Sequence, residues 1–441
     1  MKFSFHAYLK RLRSFATSDM GGMMLLFGIE GIFLQFATSV NNYGNNLYAT
    51  NLGATDSQIG LIQTIPNMIT VLSLLPIGVI TNRMKSSKPV LVTLLLFLGL
   101  MYIGYATVPV FGKHRMLFFF IFLGMTVSTL QTYNAQWQTF FGDTVHPHAR
   151  NLVYTFRNRF MMFAGTITPL ICSLAMSPAE LPEEKLLVLR IFYYLCGGMM
   201  ILQAIAIFKI RDGERSPELL AEMKKFSVQD VGSVLRQMVA DKRFLSFFLA
   251  MMLFYFGWHL DWSVIYIMQV QYCGYTEVEL GYWCSISCIV QLLSLGFWSR
   301  LNGRKSVYFT FIFAISGLVG SSFSVALTLL MPASCRMLLL MVLVNLSTIP
   351  QTAINICAVQ MLLNFSPKRN RAMIISLYTI AVTLSNSLMP YLGVQIYIAL
   401  GSDHQAIFLT FLLILLVRTA AMLVFWRRYR NMKRDGTLRS V

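Results

Sequence analysis

The chain has 441 residues, of which 56% are hydrophobic and only 12% charged, with a mean hydropathy of +0.61. That is too much apolar and too little charged surface for a soluble domain, so an all-α integral membrane protein that crosses the bilayer many times is expected. The excess of 36 Lys and Arg over 18 Asp and Glu would suggest nucleic acid in a soluble chain. In a membrane protein the placement of the charges decides, and no nucleic-acid partner is expected.

The head, MKFSFHAYLKRLRSFATSDM, is basic, aromatic and too long and polar to open a signal peptide, so the first span is read as an anchor that stays. Apolar runs follow near 21–49, 57–82, 88–111, 115–141, 152–176 and 186–209, and again near 244–271, 278–299, 304–330, 336–363, 371–398 and 405–426. Each is long enough to cross a bilayer as a helix, which makes twelve spans. Between the two sixes lies the one long polar interval, where SVQDVGSVLRQMVADKRF has the pattern of an amphipathic helix at the membrane surface. The expected organisation is a first six-helix bundle over 1–208, a cytoplasmic linker over 209–243, a second six-helix bundle over 244–426 and a basic tail over 427–441.

Alternate loops differ sharply in charge. Of the 36 Lys and Arg, 30 fall on the side that holds both termini and the linker, five on the other side, and Arg418 lies inside the last span. The positive-inside rule therefore places both termini in the cytoplasm of a plasma-membrane protein. The halves also repeat: LGATDSQIG at 52–60 matches CGYTEVELG at 273–281, an offset of 221 that also links Asn134 to Asn355, Arg150 to Arg371 and Pro169 to Pro390. Two parallel, pseudo-symmetric six-helix repeats leave such a trace. The seven cysteines include no CxxC pair, and Cys284 and Cys288, one helical turn apart, read as small packing residues. No disulfide framework, metal site or cofactor is expected.

One run conflicts with its own hydropathy. MMLFYFGWHLDWSVIYIMQVQY, residues 251–272, is long and apolar enough to span, yet holds His259 and Asp261. At helical spacing Tyr255, His259, Trp262, Tyr266 and Gln269 form one stripe, with Asp261 on its flank. A polar and aromatic face of this kind belongs against water or other helices rather than lipid.

With Gly296, Gly303, Arg304 and Lys305 in the second half, and Gly78 and Arg83 in the first, the loops after the second and eighth spans keep part of the G-x-x-x-D-R-x-G-R-K pattern, while Asn82 and Arg300 replace its acid. On these residues, the repeat and the twelve spans, the chain resembles the major facilitator superfamily over nearly its whole length. Residues 137–159, WQTFFGDTVHPHARNLVYTFRNR, look like a junction found in bacterial members of unassigned substrate. The fourth span lacks the family's proton-linked arginine, and Gly165, Pro169 and Cys172 only loosely match its antiporter pattern in the fifth, so neither direction nor ligand is assigned.

The resemblance implies that the first, fourth, seventh and tenth spans line a central cavity. Polar stripes fall on those same spans: Gly31, Gln35, Thr38, Asn42 and Asn45; Gln131, Asn134 and Gln138; Tyr255, His259, Trp262 and Tyr266; Asn345, Thr348, Thr352 and Asn355. Carboxamides and aromatic rings orient solutes by hydrogen bonds and stacking, although Asn and Gln also join helix to helix. Asp261, roughly 25 Å above the cytoplasmic end of its helix, is a candidate coupling acid or cation site, with a structural acid as the alternative. Glu30 lies at the depth of Arg157 and Arg159 on the fifth span, which the resemblance implies packs beside the first, so a gate or structural ion pair is expected there. Arg418 is expected to snorkel or pair.

The expected function is secondary transport of a small organic solute by alternating access, by a monomer in a lipid bilayer, with protons as a candidate coupling ion. An uncoupled uniporter is the rival within transport, and a polytopic membrane enzyme or a transporter-like sensor the rival outside it. No nucleophile-base pair, paired catalytic carboxylates or phosphate loop supports an enzyme. Neither end is large enough for a signalling domain.

Overall fold

The computed structural model describes residues 19–211, 230–366 and 371–436. Helices account for its elements, with no strand among the described residues: α1 (Asp19–Asn51), α2 (Asp56–Arg83), α3 (Lys88–Ala106), a 3-10 turn (Val108–His114), α4 (Arg115–Thr144), α5 (Pro147–Met176) and α6 (Pro182–Lys209). After a linker helix (Asp230–Ala240) come α7a (Lys242–His259), α7b (Trp262–Ile267) with a π-turn (Met268–Tyr272), α8 (Glu277–Arg304), α9 (Val307–Leu329), α10 (Ala333–Phe365), α11 (Arg371–Ala399) and α12 (His404–Arg434). Among the described residues eleven helical stretches are long and apolar enough to cross a membrane, and α11, with 29 residues, has the length of a twelfth. The expected amphipathic segment begins outside the described residues, and its remainder forms the linker helix. The last helix continues through Arg434, well into the stretch expected to be a tail, because basic residues end a membrane span without ending a helix.

Helix starts follow the local chemistry of the sequence. Asp241 accepts from the Arg243 and Phe244 N–H groups at 3.0 Å each, Ser306 from Phe309 at 3.1 Å, and Asp403 from Ala406 at 2.7 Å. Side-chain caps of this kind satisfy donors that the first turn leaves free. The matching nonapeptides are one turn used twice. Gly53 and Gly274 take φ of +87° and +68°, the left-handed geometry that glycine adopts without a Cβ penalty. Thr55 and Gln58 then exchange backbone-to-side-chain bonds at 2.9 and 3.3 Å. Thr276 and Glu279 close the corresponding box, with the Thr276 N–H donating to Glu279 Oε2 at 2.9 Å.

The helices form two compact units. One holds α1, residues 72–83 of α2, and α3–α6; the other holds residues 56–71 of α2, the linker helix and α7a–α12. Residues 53–71, which the sequence reading groups with the first bundle, thus pack in the second unit. They do so against α11: Thr64 Oγ1 donates to the Ser387 carbonyl at 2.6 Å, and Ser387 Oγ returns a bond to the Thr64 carbonyl at 2.9 Å.

Packing within each unit follows one plan. In the first, α1 packs on α5 and α6, and α3 on α4 and α6; in the second, α7a packs on α11 and α12, and α9 on α10 and α12. Even polar contacts recur, with Ser73 and Thr132 joining α2 to α4 at 3.0 Å and Ser294 and Thr352 joining α8 to α10 at 3.2 Å. Apolar side chains left open on the helices, such as Leu72, Leu293 and Leu338, suit a hydrocarbon solvent.

The seventh span departs from expectation. It is not one continuous helix, because Leu260 and Asp261 interrupt it between α7a and α7b. No proline or glycine marks the break. Two tertiary contacts accompany it: Arg418 of α12 takes the Gly257 and Trp258 carbonyls at 2.9 and 3.3 Å, and the Leu260 carbonyl lies against Gly393 of α11. A Cβ on Gly393 would stand 2.0 Å from that oxygen, so the close approach excludes any side chain there.

Candidate functional site

Each unit holds one acid within its spans bound to one arginine, and the two networks are built differently. Glu30 on α1 is wholly buried, where an ionised carboxylate persists only if paired and hydrogen-bonded. Arg157 of α5 donates Nε to Oε2 at 2.7 Å and Nη2 to Oε1 at 3.1 Å. Tyr133 Oη of α4 and Gln203 Nε2 of α6 donate to Oε1 at 2.8 and 3.0 Å. Four helices therefore meet at one carboxylate. The guanidinium carbon lies 3.8 Å from the centroid of the Trp137 ring, a cation-π contact in a desolvated setting. Arg159, named with Arg157 as a partner for Glu30, is exposed and takes no part. Two residues along a helix turn a side chain to the far side, so only one of these arginines can face α1.

In the second unit Asp261 pairs with Arg418, Nη2 to Oδ2 at 2.7 Å. Arg418 also donates Nη1 to Ser322 Oγ at 2.6 Å, besides the two carbonyls at the break. Its guanidinium therefore does two things: it neutralises Asp261 and replaces the helical bonds that the interruption removes. The arginine is 5% exposed and the aspartate 17%, so the acid keeps an open side that Glu30 lacks. His259, two residues before Asp261, shares a hydrogen bond of 3.0 Å with Ser385 Oγ.

His259 sits within a run of rings. Tyr255 and Trp258 stack on it with centroids 5.4 and 5.7 Å away, and Trp262 meets it edge-on at 4.8 Å. Tyr255 and Tyr266 are buried, whereas Trp262 is exposed. Trp258 was not among the expected residues, although it follows Tyr255 by three positions and precedes Trp262 by four, the helical spacing of one face. Gln269 on the π-turn is fully buried, and neither of its amide atoms has a hydrogen-bond partner.

The carboxamide stripes divide into two kinds. Asn45 is buried and accepts from Tyr193 and Tyr105 at 2.8 and 3.3 Å, so it joins α1 to α6 and α3. Gln35 bonds Ser39 at 3.2 Å and lies beside Gly165 of α5. Thr352 accepts from Ser294 at 3.2 Å, and Asn345 accepts from Ser287 at 2.8 Å; both join α10 to α8. Gln131 is half-buried with its own contacts. Asn42, Asn134 and Gln138, by contrast, are exposed. The side chain of Asn355 lies outside the described residues. Exposed carboxamides on membrane-crossing helices are costly against lipid and belong to a watered surface.

The loop motif makes few contacts among the described residues. Gly78 lies 3.9 Å, measured from a built Cβ, from Gln136 Nε2 of α4, while Gly296 and Gly303 have nothing within 4 Å. Arg304 and Lys305 are exposed, and the side chain of Arg83 is outside the described residues. Among the described residues nothing packs on either glycine, and both sit on an open face of α8.

A duplicated all-helical membrane domain with a buried ion pair in each unit and polar residues open on its spans has the build of a multi-pass transporter. A family model for the Major Facilitator Superfamily matches residues 23–350. The chain belongs to that superfamily, whose members are transporters rather than enzymes. Its fold is similar to that of a D-xylose-proton symporter (12% identity, 93% of this chain and 98% of that one, TM-score 0.74). It is also similar to the nucleoside transporter NupG (12%, 92% and 99%, 0.71) and to a bacterial homologue of the iron transporter ferroportin (11%, 92% and 98%, 0.69). None of the curated proteins matches the chain in sequence.

Proposed function

We propose that this protein is a secondary active transporter that moves a small, polar organic solute by alternating access, with both termini in the cytoplasm of a plasma membrane. The observation that carries this reading is the exposure of Asn42, Asn134 and Gln138 on α1 and α4 of the first unit. These side chains offer donors and acceptors without a net charge, which suits hydroxyl-rich or amide-bearing solutes. Neighbours in fold include transporters named for a sugar and for nucleosides, ligands of that general chemistry. Asp261 and Arg418 form the candidate coupling element, because an acid with one open side can exchange its arginine for a proton or a solute cation.

A thermal-shift screen of sugars, nucleosides, amino acids and short peptides on the purified protein tests the substrate class. A ligand at about 100 times its Kd should stabilise the protein by about 2.7 kcal/mol, and Asn134→Ala with Gln138→Ala should remove that shift while the unliganded protein unfolds as before. If solutes that stabilise the protein act equally on the double variant, these carboxamides do not bind them. Orientation is tested by reporter fusions: an ending at Asp435 should report the cytoplasm, as should an insertion at Lys224, because 30 of the 36 cations share that side. An external report from either position overturns the orientation.

A further inference from the structure

A groove of about 600 Å³ lies between the first turns of α7a and the last turns of α12, within the second unit. Lys242, Arg427 and Arg428 line one end, and Leu249, Leu253 and Val424 line the other. The chemistry sorts by depth. Leu249 and Leu253 stand about 10 and 16 Å further along α7a than Lys242 at 1.5 Å per residue, so the three cations stand at one end of an apolar groove.

Among the described residues no acid lines the groove. Asp241, the nearest in the chain, is turned to the N–H groups of Arg243 and Phe244 as the cap of α7a. Arg428 is held in place by Tyr308 Oη at 3.0 Å and by Ser246 Oγ, and neither neighbour neutralises its charge. Lys242 and Arg427 are exposed, and none of the three cations has a salt bridge among the described residues. Beside them Trp426 is 45% exposed and packs on Tyr429 with ring centroids 6.0 Å apart, as aromatic side chains do at the headgroup level.

We propose that this groove is a binding site for an anionic glycerophospholipid, with the phosphate on Lys242, Arg427 and Arg428 and one acyl chain along Leu249, Leu253 and Val424. Basic recesses between membrane helices select anionic headgroups by charge, and apolar burial of the chain adds affinity that a free phosphate cannot gain. A free phosphate or phosphorylated metabolite would use the cations alone, which separates the two sources of the same anion. Neither the transported solute nor the coupling ion enters the inference.

The test is native mass spectrometry of the full-length protein in detergent, titrated with phosphatidylglycerol, with phosphatidylcholine of the same chains, and with glycerol 3-phosphate or inorganic phosphate as competitors. Phosphatidylglycerol should remain bound in preference to phosphatidylcholine, and neither competitor should displace it. Lys242→Gln with Arg427→Gln should weaken its binding by about thirtyfold, the loss expected for two surface cations. Arg304→Gln with Lys305→Gln, two exposed cations outside the groove, should leave binding unchanged. Leu249→Trp, which narrows the channel at an exposed position, should weaken binding without changing the unfolding temperature. Equal retention of phosphatidylcholine, unchanged binding by the Lys242 and Arg427 double variant, or displacement by inorganic phosphate with no effect of Leu249→Trp overturns the proposal.

Discussion

Replacing Glu30 by Gln is expected to destabilise the folded protein by about 3–5 kcal/mol, the cost of leaving a buried partner charge unpaired. The substitution keeps the shape of the side chain but removes the charge that Arg157 faces at 2.7 Å. Tyr133 and Gln203 lose a charged acceptor at the same time, so α4 and α6 are loosened together with α5. Arg157→Leu should cost a similar amount by stranding the carboxylate. Arg159→Ala should stay within about 0.5 kcal/mol, as an exposed position outside the network does. The reversed pair, Glu30→Arg with Arg157→Glu, should recover part of the loss, giving a coupling of about 0.5–3 kcal/mol. Unfolding midpoints in detergent measure all four. A silent Glu30→Gln, or rescue of its loss by changing Arg159 instead of Arg157, would show that the pair does not hold this unit together.

The second large effect concerns the break in α7. Arg418→Met is expected to destabilise by about 3–5 kcal/mol, since it strands Asp261 and frees the Gly257 and Trp258 carbonyls that the guanidinium now satisfies. Asp261→Asn should cost less, because the aspartate is partly open and the amide keeps an acceptor for Arg418. Its effect on function is expected to be the larger one. In proteoliposomes Asp261→Asn should abolish accumulation driven by a pH gradient while solute exchange continues, since exchange needs the binding site but no net proton movement. Loss of affinity at every pH, with exchange falling too, would instead make Asp261 a site for a cationic solute group. Wild-type accumulation and exchange would leave it a structural acid and remove it from the coupling reading.

Much of the architecture is legible in the sequence because its causes are local or periodic. Hydropathy reports which segments a bilayer accepts, and a proline in a first turn or a Thr-x-x-Gln box reports where a helix starts. The offset of 221 between LGATDSQIG and CGYTEVELG reads as a duplication before any coordinate is known, and the matched glycine turns and capping boxes give it a physical meaning. The depth of Glu30, together with the neighbour that the family resemblance implies for the first span, was enough to point to the fifth. It was not enough to choose between Arg157 and Arg159, which differ in the side of α5 they occupy rather than in depth.

What only the tertiary structure decided is the partner of each polar group. Asn42 and Asn45 share a stripe on α1, yet Asn42 is exposed while Asn45 is bound to Tyr193 and Tyr105, because those rings come from helices whose faces no local pattern reports. Arg418 follows Gly257 by 161 residues, and the interruption it supports carries no proline or glycine of its own. Sequence by itself determined a twice-repeated membrane-crossing helical chain, since transfer from water to lipid is set residue by residue. Which acid meets which arginine, and which carboxamides stay exposed, depends on how the helices of each unit close on one another, a property of packing that no single span contains.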